Sequence, residues 1–158
     1  MVKRRSLARD ACPVARSLDA IGDWWSLLII RDAFLGVRRF SEFQKSLGLA
    51  RNILTVRLRS LVEQGILTTA PASDGSAYRE YVLMPKGRGL FPILVALRQW
   101  SEEFDARPDE IRTCLVDRAN GQPVKKLALY SEDGQLLGAF DTDVKPRSAV
   151  KPTRRARL

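Results

Sequence analysis

Between Arg39 and Leu83 the hydrophobic positions change period, from a helical repeat to an alternating one. Phe40, Phe43 and Leu47 share one side of a short helix that opens at Phe40, where Ser41 and Gln44 stand at capping-box spacing. Gly48 interrupts the repeat, and a second helix is predicted from about Ala50 to Gln64, stopping at Gly65. Leu54, Leu58, Leu61 and Val62 follow the i, i+4, i+7, i+8 pattern of a buried face. At about 100° per residue the opposite face carries Asn52, Val56, Arg59 and Glu63, flanked by Ile53, Thr55 and Ser60. Past Gly65 the period falls to two: Ile66 to Thr69 reads as a strand, Ser73-Asp74-Gly75-Ser76 as a turn, and Tyr78 to Leu83 as the returning strand.

Two short crossed helices followed by a hairpin are the elements of a winged helix-turn-helix. The polar face of the second helix suits base edges, because Asn can pair with adenine and Arg with guanine through two hydrogen bonds each. Val56 or the Thr55 methyl could meet a thymine methyl. Asn52, Thr55, Val56 and Arg59 are therefore the base-reading candidates. Arg38, Arg39, Arg51, Arg57 and the wing residue Arg79 are the candidates for the phosphate backbone. Any amphipathic helix turns polar residues to water, so the reading rests on the set and on the adjoining hairpin, not on one side chain.

The remaining segments organise around this unit. Residues 1–11 form a basic N-terminal arm expected to be mobile, and residues 12–105 a winged-helix DNA-binding and dimerisation domain. Helices are predicted from Pro13 to about Ala20 and from Asp23 to Leu35, bounded by Pro13 and Gly36. Trp24, Leu27, Leu28 and Ile30 offer more apolar surface than one face can hide. Pro85 to Gly89 reads as a loop. Leu90 to Phe104 returns to helix, with Leu90, Leu94, Leu97 and Phe104 along one side, extended by Phe91, Val95 and Trp100; so apolar a helix suggests a dimer interface. Residues 106–143 carry short β segments, Cys114 to Val116, Leu127 to Tyr130 and Leu136 to Phe140, separated by Asn120-Gly121 and Asp133-Gly134. This small β extension is expected to pack on the core, since it is too small to stand alone. Residues 144–158 read as a basic, flexible tail. The fold class is thus mainly α with small β: a winged helix-turn-helix with a C-terminal helix for dimerisation and a small C-terminal β extension.

Charge strengthens the picture. The chain of 158 residues carries a net +9, which favours a polyanionic partner over a small acidic substrate. The excess is uneven, with +6 on residues 1–70, −4 on 101–142 and +5 on 143–158. There is no histidine, which removes imidazole acid-base catalysis and histidine metal sites. Two cysteines cannot complete a four-thiolate zinc site within one chain. No Walker loop, nucleophile elbow or dinucleotide fingerprint is present. These features point away from an enzyme and imply no cofactor and no metal. Trp24 to Leu35 is broken by Ser26, Arg31 and Asp32 and cannot span a bilayer, and no secretory signal follows Lys3-Arg4-Arg5. A cytoplasmic location is expected, with the cysteines reduced.

Several ordered motifs resemble the HxlR-type winged-helix transcriptional regulators of bacteria, related to the MarR type. The resemblance runs from Cys12 to about Phe104. Its motifs are Cys12-Pro13-Val14, Gly22-Asp23-Trp24-Trp25 with Arg31-Asp32, Arg39-Phe40-Ser41-Glu42-Phe43, and Leu54-Thr55-x-Arg57-Leu58-x-x-Leu61 closing on Gly65-Ile66-Leu67. Tyr81-x-Leu83 then leads to Gly87 and Trp100. It implies a cytoplasmic homodimer whose recognition helices enter successive major grooves of a double-stranded operator. Ala50 departs from the serine that often caps the recognition helix in this family, and the extension lacks the paired cysteines of some relatives. The residue matching Cys12 senses oxidants or electrophiles in several members. Here Cys12 falls at a helix N-cap near Arg9 and Arg16, which favours a thiolate; the plainer reading is a small inert residue. Cys114 is expected in a strand core. An alternative reading is a ligand-responsive module in which Trp24, Trp25, Phe91 and Trp100 enclose a small-molecule effector, or else line the dimer core. Another is a winged helix that binds protein instead of an operator.

Overall fold

Pro13 supplies a preset φ at the start of α1 (Pro13–Ile21), and Asp23 caps α2 (Trp24–Phe34), its carboxylate accepting the Ser26 backbone N–H at 3.0 Å. These helices lead into α3 (Phe40–Leu47) and α4 (Arg51–Glu63). The computed structural model describes residues 6–105 and 113–146. Residues up to Asp105 and those from Ala106 onward form two compact units.

The start of α3 differs from the Ser41–Gln44 expectation. Glu42 reaches back instead, its carboxylate accepting the backbone N–H groups of Arg38 at 3.0 Å and Arg39 at 2.9 Å. An ionised carboxylate near a helix N-terminus is favoured by the helix dipole, so Glu42 serves this end better than a neutral amide would. Gly48 takes φ +62° and turns the chain between α3 and α4. A side chain there would be strained, so glycine suits the turn. Ala50 occupies the N-cap of α4 and contributes no side-chain bond, as its chemistry dictates.

The core forms where α2, α3, α4 and the hairpin meet. Ile29, Ile30, Phe43, Leu54, Leu58 and Leu61 are fully buried, joined by Ile66 and Leu67 at the start of the wing. One charge lies among them. Asp32 is buried, accepts from Arg31 and takes the Ser46 hydroxyl at 2.7 Å, so it ties α2 to α3.

The wing is a two-stranded antiparallel sheet, β1 (Leu67–Pro71) with β2 (Arg79–Leu83), pairing Leu67 with Leu83 and Pro71 with Arg79. The Arg38 carbonyl accepts the Tyr81 N–H at 2.8 Å, attaching the segment before α3 to the hairpin. The expected loop after the wing contains a short helix, α5 (Pro85–Arg88), because Pro85 presets its first turn. Glycine is needed at position 87, where a Cβ would stand 2.3 Å from the Ile66 carbonyl oxygen.

Helix α6 (Phe91–Phe104) divides its apolar residues between two sides. Val95 is buried, while Leu94 and the preceding Leu90 pack on the core. Ile93, Leu97, Trp100 and Phe104, spaced by four, three and four residues, remain exposed. The expected single stripe is therefore two, and Ile93 belongs to the outer one. Among the described residues no helix is long and apolar enough to cross a membrane.

In the second unit, β3 (Leu129–Tyr130) pairs with β4 (Leu136–Leu137) across a turn containing Gly134, and Val116 bridges Pro123 across Gly121. The Cys114–Val116 strand reduces to that bridge. Cys114 is exposed, contrary to the expected strand core, because it falls outside any strand, ahead of the isolated bridge. The basic tail lies outside the described residues except for residues 144–146, as do the first five residues of the arm. The described part of the arm is anchored: Asp19 accepts the Leu7 N–H at 2.7 Å and the Ser6 hydroxyl at 3.1 Å.

Candidate nucleic-acid interface

Helix α4 buries Leu54, Leu58 and Leu61 and thereby turns Asn52, Thr55, Val56 and Arg59 to solvent. Neither the Asn52 nor the Arg59 side chain has a hydrogen-bonding or ionic partner among the described residues, so both leave forked polar groups open to a ligand. Thr55 differs, since its hydroxyl donates to the Arg51 carbonyl at 2.8 Å. This local bond uses the hydroxyl proton within the helix.

The proposed backbone contacts separate into two kinds. Arg51 is exposed, its guanidinium 5.8 Å from the Phe40 ring centroid, and Arg79 is exposed while bonding the Thr69 carbonyl at 3.1 Å and hydroxyl at 3.0 Å. Arg57 and Arg39 are engaged in ion pairs. Arg57 Nε lies 3.3 Å from the Asp23 carboxylate, joining α4 to the N-terminus of α2. Arg39 pairs with Asp74 at the wing turn and lies 5.6 Å from the centroid of the Tyr78 ring. Arg38 is intermediate, exposed but 3.4 Å from Glu80.

Glu80 was not singled out by the sequence pattern. It is only 4% exposed and accepts the Ser73 N–H at 3.1 Å and hydroxyl at 2.9 Å, with the guanidinium groups of Arg38 and Arg39 nearby. A charge on the inner side of a two-stranded wing is the one signal that could have marked it. Its bonds fix the turn relative to the start of α3, so the wing is held in place before any partner arrives.

The same bonds make the wing sensitive to acid. The Ser73 backbone N–H, aided by the Ser73 hydroxyl and Arg38, lowers the Glu80 pKa. The backbone N–H groups of Arg39 and Arg38 lower Glu42. Asp74 is drawn down to about 2 by the hydroxyl and backbone N–H of Ser76 and by Arg39. Each folded pKa is depressed, so the stabilisation is complete above the ordinary carboxylate range near pH 4 and is lost as pH falls through the folded values. Urea midpoints are expected to be level above about pH 5 and to fall between about pH 5 and 2. The double variant Glu42→Gln, Glu80→Gln should show a shallower acid slope.

Two other candidate groups are placed differently. Trp24, Trp25, Phe91 and Trp100 fall into separate ring pairs: Trp24 with Trp25 at 6.5 Å, Phe91 with Phe34 at 5.1 Å, and Trp100 with Phe104 at 6.1 Å. Trp24, Phe91 and Trp100 are also exposed. Cys12 is an exposed free thiol at the extended N-cap position of α1. The Asp10 carboxylate accepts its backbone N–H at 2.8 Å, and Arg16 donates to the Asp10 and Ala11 carbonyls at 2.7 and 2.9 Å.

Two helices crossing at a glycine turn, the second with an exposed polar face, and an anchored hairpin after them define a winged helix-turn-helix protein. The chain belongs to the HxlR-like helix-turn-helix family, whose model matches residues 20–109, and it is a transcriptional regulator of that type. An uncharacterised HTH-type transcriptional regulator of Mycobacterium tuberculosis is 45% identical over 138 residues, covering 87% of each chain. The crystal structure of PA1607, a proposed transcription factor, superposes with a TM-score of 0.83 at 56% identity, covering 88% of this chain and 97% of that one. The redox regulator HypR in its oxidised form gives a TM-score of 0.54 at 32% identity, covering 61% of this chain and 98% of that one.

Proposed function

We propose that the protein is a homodimeric, sequence-specific DNA-binding regulator that acts by occupying an operator. The observation that carries this reading is the pair Asn52 and Arg59, exposed on α4 beside an anchored wing and with no side-chain partner among the described residues. In it α4 enters the major groove, Asn52, Thr55, Val56 and Arg59 meet base edges, and Arg38, Arg51 and Arg79 meet phosphates. Arg39 and Arg57 act at one remove, holding the wing and the recognition helix through Asp74 and Asp23. The outer stripe of α6, Ile93, Leu97, Trp100 and Phe104, has the spacing of a helix seam and pairs with a second copy. Two recognition helices would then address half-sites roughly 34 Å apart.

An anisotropy titration near 150 mM salt, against the DNA upstream of its own gene and a scrambled duplex, tests this reading. A preference of about a thousandfold, with two chains per duplex, is expected. Equal and steeply salt-dependent binding to both duplexes would leave only a basic surface. In the same assay Arg79→Ala should weaken both duplexes alike and reduce the salt slope by about one.

The thiol of Cys12 supports a redox input to this regulator, in line with the likeness to HypR. Its position at the N-cap of α1, and not on α4 or the wing, makes DNA release by a thiol oxidant a conformational effect. Cys12→Ser is expected to bind DNA as the parent does and to stay bound in hydrogen peroxide, which oxidises a single thiol to a sulfenic acid and is itself reduced to water; release that persists in the variant removes Cys12 from the mechanism.

A further inference from the structure

The reading face of α4 contains an apolar feature that general DNA binding does not require. Ile53 is 39% exposed and Val56 62% exposed, one turn apart on a surface that is otherwise polar. Together with Asn52 and Arg57 they bound a shallow hollow of about 210 Å³. Its Arg57 side is fixed, because the guanidinium is 3.3 Å from Asp23, which is itself the cap of α2. That pairing also offsets the charge there. Thr55, the other candidate for a methyl contact, bonds its hydroxyl back to Arg51 at 2.8 Å and does not line the hollow.

We infer that this hollow receives the 5-methyl group of a thymine in each operator half-site, with Ile53 and Val56 as its apolar walls. The choice of occupant follows from the surroundings. Asn52 borders the hollow and Arg51 and Arg59 lie on the same helix, a setting complementary to a polyanion and ill suited to an apolar protein surface. In the major groove the thymine methyl is the one apolar group that a base edge presents. The inference rests on the DNA-binding reading above and adds a base preference to it: Asn52 and Arg59 supply hydrogen bonds, and the hollow bordered by Asn52 selects thymine.

The experiment uses the full chain and a duplex selected by it from a random pool. Each thymidine in the selected duplex is replaced singly by deoxyuridine, which removes the methyl group and leaves the base pairing unchanged. Burial of one methyl corresponds to about a three- to fivefold change in affinity. The parent protein should show that loss at one position per half-site, and Val56→Ala and Ile53→Ala should show little or none there. Both positions are exposed, so the variants are expected to fold, and circular dichroism verifies it. A selected duplex whose every thymine tolerates uracil overturns the hollow alone and leaves Ile53 and Val56 to a protein partner or a second copy. Failure to select any duplex overturns the DNA-binding reading together with the hollow.

Discussion

Replacing Asn52 and Arg59 together by alanine is expected to erase most of the protein's preference for its operator while leaving the fold and the residual binding to unrelated DNA largely intact. Both side chains are exposed and without partners among the described residues, so their removal opens no cavity and leaves no buried group unsatisfied. Seven residues apart on α4, they stand about 10 Å from each other along the helix and address different base pairs. Each good base contact contributes about 1–3 kcal/mol of discrimination, and well-separated contacts add. The double variant should therefore lose on the order of a hundred- to a thousandfold of its preference for the selected over the scrambled duplex. The comparison with Arg79→Ala is informative, since that change should weaken both duplexes equally. Retained preference in the double variant would place base reading elsewhere.

The second large effect concerns stability. Phe43 is fully buried and meets the Tyr81 ring edge-on at 6.3 Å, so it joins α3 to the wing strand β2 as well as to the core. Phe43→Ala removes both contacts and leaves a cavity, a change that costs about 3–5 kcal/mol. A domain of this size has a total stability of only about 5–15 kcal/mol, so the urea midpoint should fall steeply. Operator affinity should drop with it, through the unfolded fraction and through loss of the wing's support. A midpoint within error of the parent's would mean that the neighbouring side chains collapse into the space, contrary to the packing seen around this ring.

How much of this was legible in the chain depends on the range of the interactions. The faces of α4 follow from a helical repeat acting over three and four residues, and the places of Asn52, Val56 and Arg59 could be read from that repeat alone. The hairpin followed from alternation and from the Ser73 to Ser76 turn. The two-sided character of α6 was only half visible: its apolar residues were plain, but which of them met the core depended on where α2 stood. The pairing of Arg57 with Asp23 and of Arg39 with Asp74 was not legible at all, because those partners are 34 and 35 residues apart in sequence.

By itself, then, the sequence determined the elements, their order, the buried face of α4 and the basic balance of the reading half, since each depends on local periodicity, turn chemistry or composition. The tertiary structure alone decided which arginines remain available to a polyanion and which are occupied as struts. It alone turned Glu80 inward under the wing and fixed Arg57, one wall of the hollow on α4, against Asp23. The reason is physical: an ion pair or a cavity wall depends on side chains meeting across elements, and the pattern of a single element carries no record of its neighbour.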